Sequence, residues 1–167
     1  MKAEKSQMTS FEPFTLVAVD QSQPWAVLAG GDRTGGLVAF GQARMPAHAP
    51  GPGRHVHSRE DEAIFVISGV LTLQVDEQQI EAGPGTVQWL PRRVPHAFAN
   101  LSDEPVWAVG VIVPAGMEKL FAEQAEYFAS LRGQPPDPQV LLELSRKYGI
   151  LPSPGPSLER ANAEADY

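Results

Sequence analysis

His55-Val-His57-Ser-Arg-Glu-Asp-Glu62-Ala-Ile-Phe-Val-Ile-Ser68 is the most informative stretch of this chain. Residues two apart on a β-strand point to the same face, so His55 and His57 project together from one short strand. The polar residues 58–61 predict a turn, and the β-branched and aromatic run from Glu62 predicts a strand that returns from a hairpin. Two imidazoles and one carboxylate therefore meet at the mouth of the predicted hairpin.

A second segment supplies a third imidazole. Residues 86–90 predict a strand and residues 91–95, bounded by two prolines, predict a turn; His96 then begins an extended segment in which Phe98 and Asn100 share its parity. The sequence thus offers three nitrogen donors and one carboxylate as candidate metal ligands: His55, His57, Glu62 and His96.

This donor set suits one divalent transition metal. Four protein ligands leave one or two coordination positions for water, dioxygen or a chelating substrate oxygen. Nitrogen and oxygen ligands accept Fe, Mn, Ni, Co, Cu or Zn, so the choice of metal stays open. His48, the remaining histidine, lies in a loop rich in proline and glycine, and we expect it at the surface.

The two segments resemble the two motifs of the cupin superfamily. The first reads His55-x-His57-(four)-Glu62-(six)-Gly69 and the second Gly85-(five)-Pro91-(four)-His96-(three)-Asn100. The resemblance covers about residues 35–113 and implies an all-β fold, the cupin double-stranded β-helix or jelly-roll barrel. The chain is similar to small single-domain cupins resembling quercetin 2,3-dioxygenases, which implies that Glu62 is both a metal ligand and the base for a substrate proton. It departs from the second motif at Arg93, where a glycine is usual.

Length and patterning predict one domain, because 167 residues with 43% apolar content suffice for a single core. We assign residues 1–10 to a tail, 11–114 to the barrel, 115–150 to C-terminal α-helices and 151–167 to an extended or disordered tail. In the barrel, residues 25–29 and 37–43 predict a hairpin around the glycine-rich turn 30–36, and residues 70–75 and 79–81 predict another. One helix is predicted from Met117 to Gly133 and a second from its N-cap Asp137 to Gly149. These helices either cap a sheet face or form a lid over a cavity.

Composition narrows the list of partners. The absence of cysteine excludes disulfides, thiolate ligands and a cysteine nucleophile. A net charge of -7 without a basic stripe argues against nucleic acid. The chain has no apolar run of membrane-spanning length and no apolar signal core at its start, so we expect no membrane partner and a cytoplasmic location. The apolar segment 14–19 could pair across a two-fold axis, so we expect a homodimer.

The expected partner is a small-molecule substrate. Positions that share parity with the ligands, Ile64, Val66 and Phe98, predict an apolar wall, and Phe121 and Phe128 of the first helix could border the same cavity. Arg54, one of four arginines close to the ligands, either recognises a substrate carboxylate or phosphate or lies solvated at a hairpin tip.

Three functions fit this site. The first is a dioxygenase acting on an aromatic or enolic small molecule, as in quercetin 2,3-dioxygenase-like cupins. The second is an isomerase, lyase or polyketide cyclase that uses the ion as a Lewis acid. The third is a non-catalytic small-molecule-binding cupin, which the complete ligand set disfavours because a pure binder has no need of an open metal position.

Overall fold

The computed structural model describes residues 13–16, 25–155 and 158. The predicted tail 1–10, and all but a few residues of the predicted tail 151–167, lie outside these residues. Of the apolar segment 14–19, only residues 14–16 are described, and they form no regular secondary structure. In chain order, the described elements are β1 (Trp25–Ala29), α1 (Gly31–Thr34), β2 (Ala39–Met45), β3 (His55–His57), β4 (Asp61–Ser68), β5 (Leu71–Val75), β6 (Gln78–Ala82), β7 (Val87–Leu90), β8 (His96–Ala99), β9 (Val106–Val113), α2 (Glu118–Ser130), α3 (Pro138–Lys147) and β10 (Ile150–Pro152).

The strands form two antiparallel sheets of five strands each. Sheet A has the order β1-β2-β9-β4-β7, and sheet B has the order β10-β3-β8-β5-β6. Each sheet gathers strands that are distant in the sequence, which is the arrangement of a jelly roll. The predicted all-β jelly-roll architecture with C-terminal helices is confirmed.

The core lies between the two sheets because inward residues alternate with outward ones along each strand. Val66 and Ala108 of sheet A pack with Leu73 and Phe98 of sheet B, and none of these four residues is more than 4% exposed. Burial of each large apolar side chain contributes about 1.5–3 kcal/mol. A second cluster attaches the helices to one end of the sandwich and contains Ala39, Ile112, Met117, Leu120 and Ile150.

The predicted hairpin between the two histidines and Glu62 is wrong. β3 pairs with β8 and β10 in sheet B, whereas β4 pairs with β7 and β9 in sheet A. Both edges of β4 are therefore occupied, and residues 58–60 cross from one sheet to the other instead of folding back. The crossing places the histidines and Glu62 on opposite walls of the sandwich.

The two other predicted hairpins are present. β1 pairs with β2, and the connection contains the short helix α1 in place of a simple turn. β5 pairs with β6 around Asp76, whose φ of 53° lies in the left-handed region that tight hairpin turns require.

The C-terminal helices begin close to the predicted positions. Asp137 caps α3 by accepting a hydrogen bond from the backbone N–H of Gln139 at 2.8 Å. Residues 150–152, assigned to the end of the helical segment and the start of the tail, instead form β10, which lies antiparallel to β3. In the part of the chain that the structure describes, no helix combines the length and the hydropathy that crossing a membrane requires.

Candidate metal centre

Three histidine side chains converge on the inner side of sheet B. His55 lies directly opposite His96 in the pairing of β3 with β8, and His57 points to the same side two residues along β3. The Nε2 atoms of His55 and His57 are 3.0 Å apart. One ligand nitrogen from each ring lies within 4.8 Å of the others, and all three residues are buried. The structure thus brings the three predicted imidazoles into one cluster.

Glu62 reaches this cluster from the opposite wall. Its Oε2 atom lies 3.8 Å from Nε2 of His57 and 3.8 Å from Nε2 of His96. Glu62 is 7% exposed, and its carboxylate approaches from β4 in sheet A. The four predicted ligands are therefore gathered from both sheets around one point.

Backbone carbonyls fix the tautomers of two of the imidazoles. Nδ1 of His55 lies 2.7 Å from the carbonyl of Gly53, and Nδ1 of His96 lies 2.9 Å from the carbonyl of Val94. A carbonyl only accepts, so each Nδ1 carries the proton and each Nε2 keeps its lone pair. Nε2 of His96 is buried and has no hydrogen-bond partner among the residues that the structure describes. Convergent lone pairs beside a carboxylate fit a cation, and this donor set fits a divalent metal.

Burial keeps the three imidazoles in the form that binds metals. It lowers the pKa of His57 to about 3 and that of His96 to about 4, with repulsion from neighbouring imidazolium charge adding to the effect. Burial likewise lowers the pKa of His55. The same desolvation raises the pKa of Glu62 to about 7, and a cation among the rings would favour its ionised form.

A cavity of about 1040 Å³ opens from the cluster towards α2 and α3. Its lining is mainly apolar, and His55, His57 and Glu62 form its polar end. Its large apolar lining residues include Trp25, Phe98, Phe121, Phe128, Leu141 and Leu142. The two helices border the cavity, as the lid interpretation requires.

The predicted pocket residues differ in where they lie. Phe98, Phe121 and Phe128 line the main cavity, and Ile64 lines a small adjoining pocket with Trp25, Glu62 and Phe98. Val66 is an exception, because it is fully buried in the core cluster and lines neither cavity. Parity placed it on the inner face, but it sits one row of residues deeper than the cavity floor.

Arg54 borders the cavity, but its guanidinium is engaged elsewhere. It donates to the backbone carbonyl of Asp76 and lies 3.4 Å from the Glu77 carboxylate. Arg92 forms an ion pair with Asp61 at 2.6 Å. His48 lies at the surface, 3.0 Å from Asp103. The contacts of Arg54 with Asp76 and Glu77 favour a structural role for this side chain over recognition of a substrate anion.

Arg93, at which the chain departs from the second motif, occupies a backbone conformation that suits glycine. Its φ of 66° lies in the left-handed region, which glycine adopts without strain. Its backbone N–H donates to the carbonyl of His57 at 2.8 Å, so this turn supports the strand that carries His55 and His57. The chain keeps the turn geometry with an arginine, at a local cost of about 1–2 kcal/mol.

The sequence reasoning missed three residues that shape the cavity, namely Trp25, Gly41 and Gly110. Trp25 and Gly41 were visible within predicted strands, but the face that each of the three residues occupies depends on pairing with strands far away in the chain. The alternation within β1 and β2 could have placed Trp25 and Gly41 on one face, since Trp25 pairs with Ala43.

Comparisons with known proteins agree with this fold. Residues 41–113 match the family model described as Cupin domain. A cupin protein from Bacteroides fragilis has a similar structure, with 23% identity, a TM-score of 0.52 and coverage of 65% of this chain and 88% of that chain. KdgF from Halomonas sp. shows 15% identity and a TM-score of 0.51, covering 64% of this chain and 91% of its own.

A predicted oxalate decarboxylase from Thermotoga maritima is also similar, with 18% identity, a TM-score of 0.51 and coverage of 54% of this chain and 78% of that chain. No curated protein matches the chain. At these identities the similar structures establish the fold alone.

Proposed function

We propose that the chain is a metal-dependent dioxygenase of the cupin type that acts on an aromatic or enolic small molecule; the match of residues 41–113 to the model described as Cupin domain supports the cupin part of this proposal. The observation that carries the proposal is that His55, His57 and Glu62 line a large, mainly apolar cavity, with His96 beside them in the same cluster. A bidentate oxygen substrate would have its charged end at the cluster and its apolar body between the two sheets and the helices.

A divalent ion held by His55, His57, Glu62 and His96 would supply a Lewis acid and, if it is redox-active, a site for dioxygen. The protein residues would bind and orient the substrate around it. Iron, manganese, cobalt, nickel and copper are the candidates for the oxygenase.

Glu62 is placed for two roles. Its Oε2 faces the imidazole nitrogens, at 3.8 Å from two of them, while its Oε1 faces the cavity side near Gly110. A carboxylate in this position can accept the proton that an enol or phenol loses on binding. The apolar walls exclude bulk water, which strengthens the attraction between the site and an oxyanion.

The same proton transfer supports a second candidate, an isomerase, lyase or polyketide cyclase that uses the ion only as a Lewis acid. The second oxygen of Glu62, open to the cavity, favours this class equally because it could move a proton between two substrate atoms. Zinc would suffice for such chemistry. The two classes differ in whether dioxygen is consumed.

Oxygen uptake tests the proposal. Protein purified without a histidine tag is reconstituted separately with Fe, Mn, Co, Ni and Cu and supplied with a flavonol, a catechol and a simple enol. We expect oxygen consumption with at least one redox metal, its loss in Glu62→Gln, and its retention in the surface control His48→Ala. Anaerobic conversion of a substrate, with no oxygen consumption for any metal, would overturn the dioxygenase in favour of the second class.

We also propose that the chain is a cytoplasmic homodimer. The outer face of sheet A carries Phe65, Val87 and Trp89 on adjacent strands, each at least 41% exposed. An apolar sheet face of this kind is a candidate for a self-complementary contact across a two-fold axis. Light scattering at micromolar concentrations should give twice the mass of one chain, and the mass of a single chain would contradict the dimer.

A further inference from the structure

Two glycines lie opposite each other on the inner face of sheet A. Gly41 of β2 pairs with Gly110 of β9, and the row continues to Val27 on one side and Ile64 on the other. On the side of the histidine cluster, the next row of paired residues contains Glu62, Ile112 and Ala39. On the opposite side, the next row runs from Val66 through Ala108 and Ala43 to Trp25 at the sheet edge. The pair of glycines is therefore a gap between the metal ligand Glu62 and the Trp25 ring.

The backbone does not require glycine at either position. A Cβ atom at Gly41 would come no closer than 3.5 Å to its nearest neighbour, the Ala26 carbonyl, and one at Gly110 would lie 3.8 Å from Oε1 of Glu62. Both are ordinary contacts, and neither residue has a positive φ. Glycine within a strand weakens the sheet, so two opposed glycines lower the stability of the fold, and neither backbone conformation nor close packing requires them here. What they do provide is free space in the cavity floor.

Trp25 forms the opposite side of this space. Its ring is stacked against Phe121 of α2, with centroids 6.1 Å apart and an interplanar angle of 17°, and lies 5.8 Å from Phe98 of β8. Trp25 is nevertheless 43% exposed, although it lines the cavity. A tryptophan that is fixed by two aromatic neighbours and still accessible offers a flat surface to a ligand.

We propose that Trp25, Gly41 and Gly110 form a slot that accepts a planar aromatic ring system of at least two fused rings. The ring system lies over the glycine pair, one end against Trp25 and the other directing two adjacent oxygens past Oε1 of Glu62 to the imidazole cluster. This inference rests on the proposed function only for the metal end of the ligand. The slot itself selects ligands by shape and flatness.

Binding to the zinc-loaded protein under nitrogen tests the slot without turnover. Three bidentate diols are compared by calorimetry: naphthalene-2,3-diol, catechol and cis-1,2-cyclohexanediol. We expect the fused diol to bind about tenfold more tightly than catechol, and the saturated diol to bind most weakly. Quenching of tryptophan fluorescence by the fused diol should disappear in Trp25→Phe, because the other two tryptophans, Trp89 and Trp107, lie on the outer face.

Gly41→Val fills the slot, and the surface substitution Gly83→Ala is its matched control because a Cβ atom there meets nothing within 4 Å. We expect Gly41→Val to lose at least tenfold affinity for the fused diol while zinc content is retained and thermal stability is unchanged or higher. Gly110→Ala should also lower the affinity for the fused diol, by a smaller factor. This second variant tests the slot if Gly41→Val does not fold.

Each result bears on one proposal. Unchanged affinity of the fused diol for both glycine variants, or equal binding of the fused and the saturated diol, would overturn the slot. Failure of all three diols to bind at millimolar concentration would do the same. Failure of oxygen uptake while the fused diol still binds in a Gly41-dependent way would overturn the dioxygenase and leave the slot intact.

Discussion

Replacement of Asn100 by alanine should cost the fold several kcal/mol. The side-chain amide donates to the carbonyls of Met45, Pro46 and Glu104 at 3.1, 2.7 and 2.8 Å, and its oxygen accepts from the backbone and hydroxyl of Ser102 at 3.0 and 2.7 Å. Asn100 itself is 0% exposed. It therefore ties the end of β8 to the end of β2 and to the loop before β9.

The magnitude follows from the five hydrogen bonds that the alanine removes. The carbonyls of Pro46 and Glu104 each keep one other donor, the Ala49 N–H and the Ser102 hydroxyl, so the loss is the net contribution of each bond, about 0.5–1.5 kcal/mol. We therefore expect a loss of about 3–5 kcal/mol, a large part of the 5–15 kcal/mol that typically stabilises a domain. In thermal unfolding this corresponds to a drop of about 10 °C.

Urea unfolding of metal-free protein, followed by circular dichroism, measures this loss. Asn100→Asp should be at least as unfavourable, because it places a carboxylate oxygen against three carbonyl oxygens. The exposed substitution Gln139→Ala serves as a control and should change stability by less than about 0.5 kcal/mol. A loss below about 1 kcal/mol for Asn100→Ala would show that the hydrogen bonds of this side chain do not hold the two strand ends together.

Other predictions address the ligands, two turns and the helices. His57→Ala should remove stoichiometric metal, measured by elemental analysis, whereas full occupancy in this variant would exclude the proposed ligand set; His48→Ala should keep its metal. Gly69→Ala should destabilise the fold by about 2–3 kcal/mol, because φ at this position is 77° and a Cβ atom would lie 2.9 Å from Cα of Val106. An unchanged free energy of unfolding in urea would contradict the tight turn. Arg93→Gly should stabilise the fold by about 0.5–1 kcal/mol, the relief of left-handed strain less the entropy of a glycine, and a lower midpoint in the same assay would contradict it. Hydrogen bonds from Lys147 and Tyr148 lower the pKa of Glu123, so their contribution to α2–α3 packing is present above pH 4.5 and is lost as the pH falls below it. The protection of α3 amides, corrected for the intrinsic exchange rate at each pH, should therefore fall below pH 4.5 in the wild type and show no such step in Glu123→Gln.

The convergence of the three histidines and Glu62 was predictable because these residues carry their chemistry in their types and spacing. The jelly-roll class was equally predictable from short strands and from the resemblance of the two motifs. The partner of β3 was not, since parity says which face a histidine occupies but not which strand lies beside it. Hydrogen bonds to β7 and β9 decided that Glu62 would face the histidines from the other sheet.

The cavity was less accessible to prediction for the same reason. The position of Trp25 opposite Ala43 and the pairing of Gly41 with Gly110 depend on the register of strands separated by up to about 70 residues of chain. Val66 shows the limit of parity, because a residue on the correct face can still lie behind the cavity floor. β10 was hidden for another reason: Ile150-Leu-Pro152 is short and contains a proline, which a strand tolerates only at an edge.

The position of β10 sets the order in which the site can be completed during synthesis. Ile150 pairs with His57 and Pro152 with His55, so the strand that carries two ligands receives its outer neighbour from a segment made almost a hundred residues later. A nascent chain that ends before Ile150 would leave the backbone of β3 open to strands of other chains. A metal held by His55 and His57 would therefore gain its fully paired strand only late in synthesis, and a chain cut at residue 149 would present the open edge of β3 to other chains.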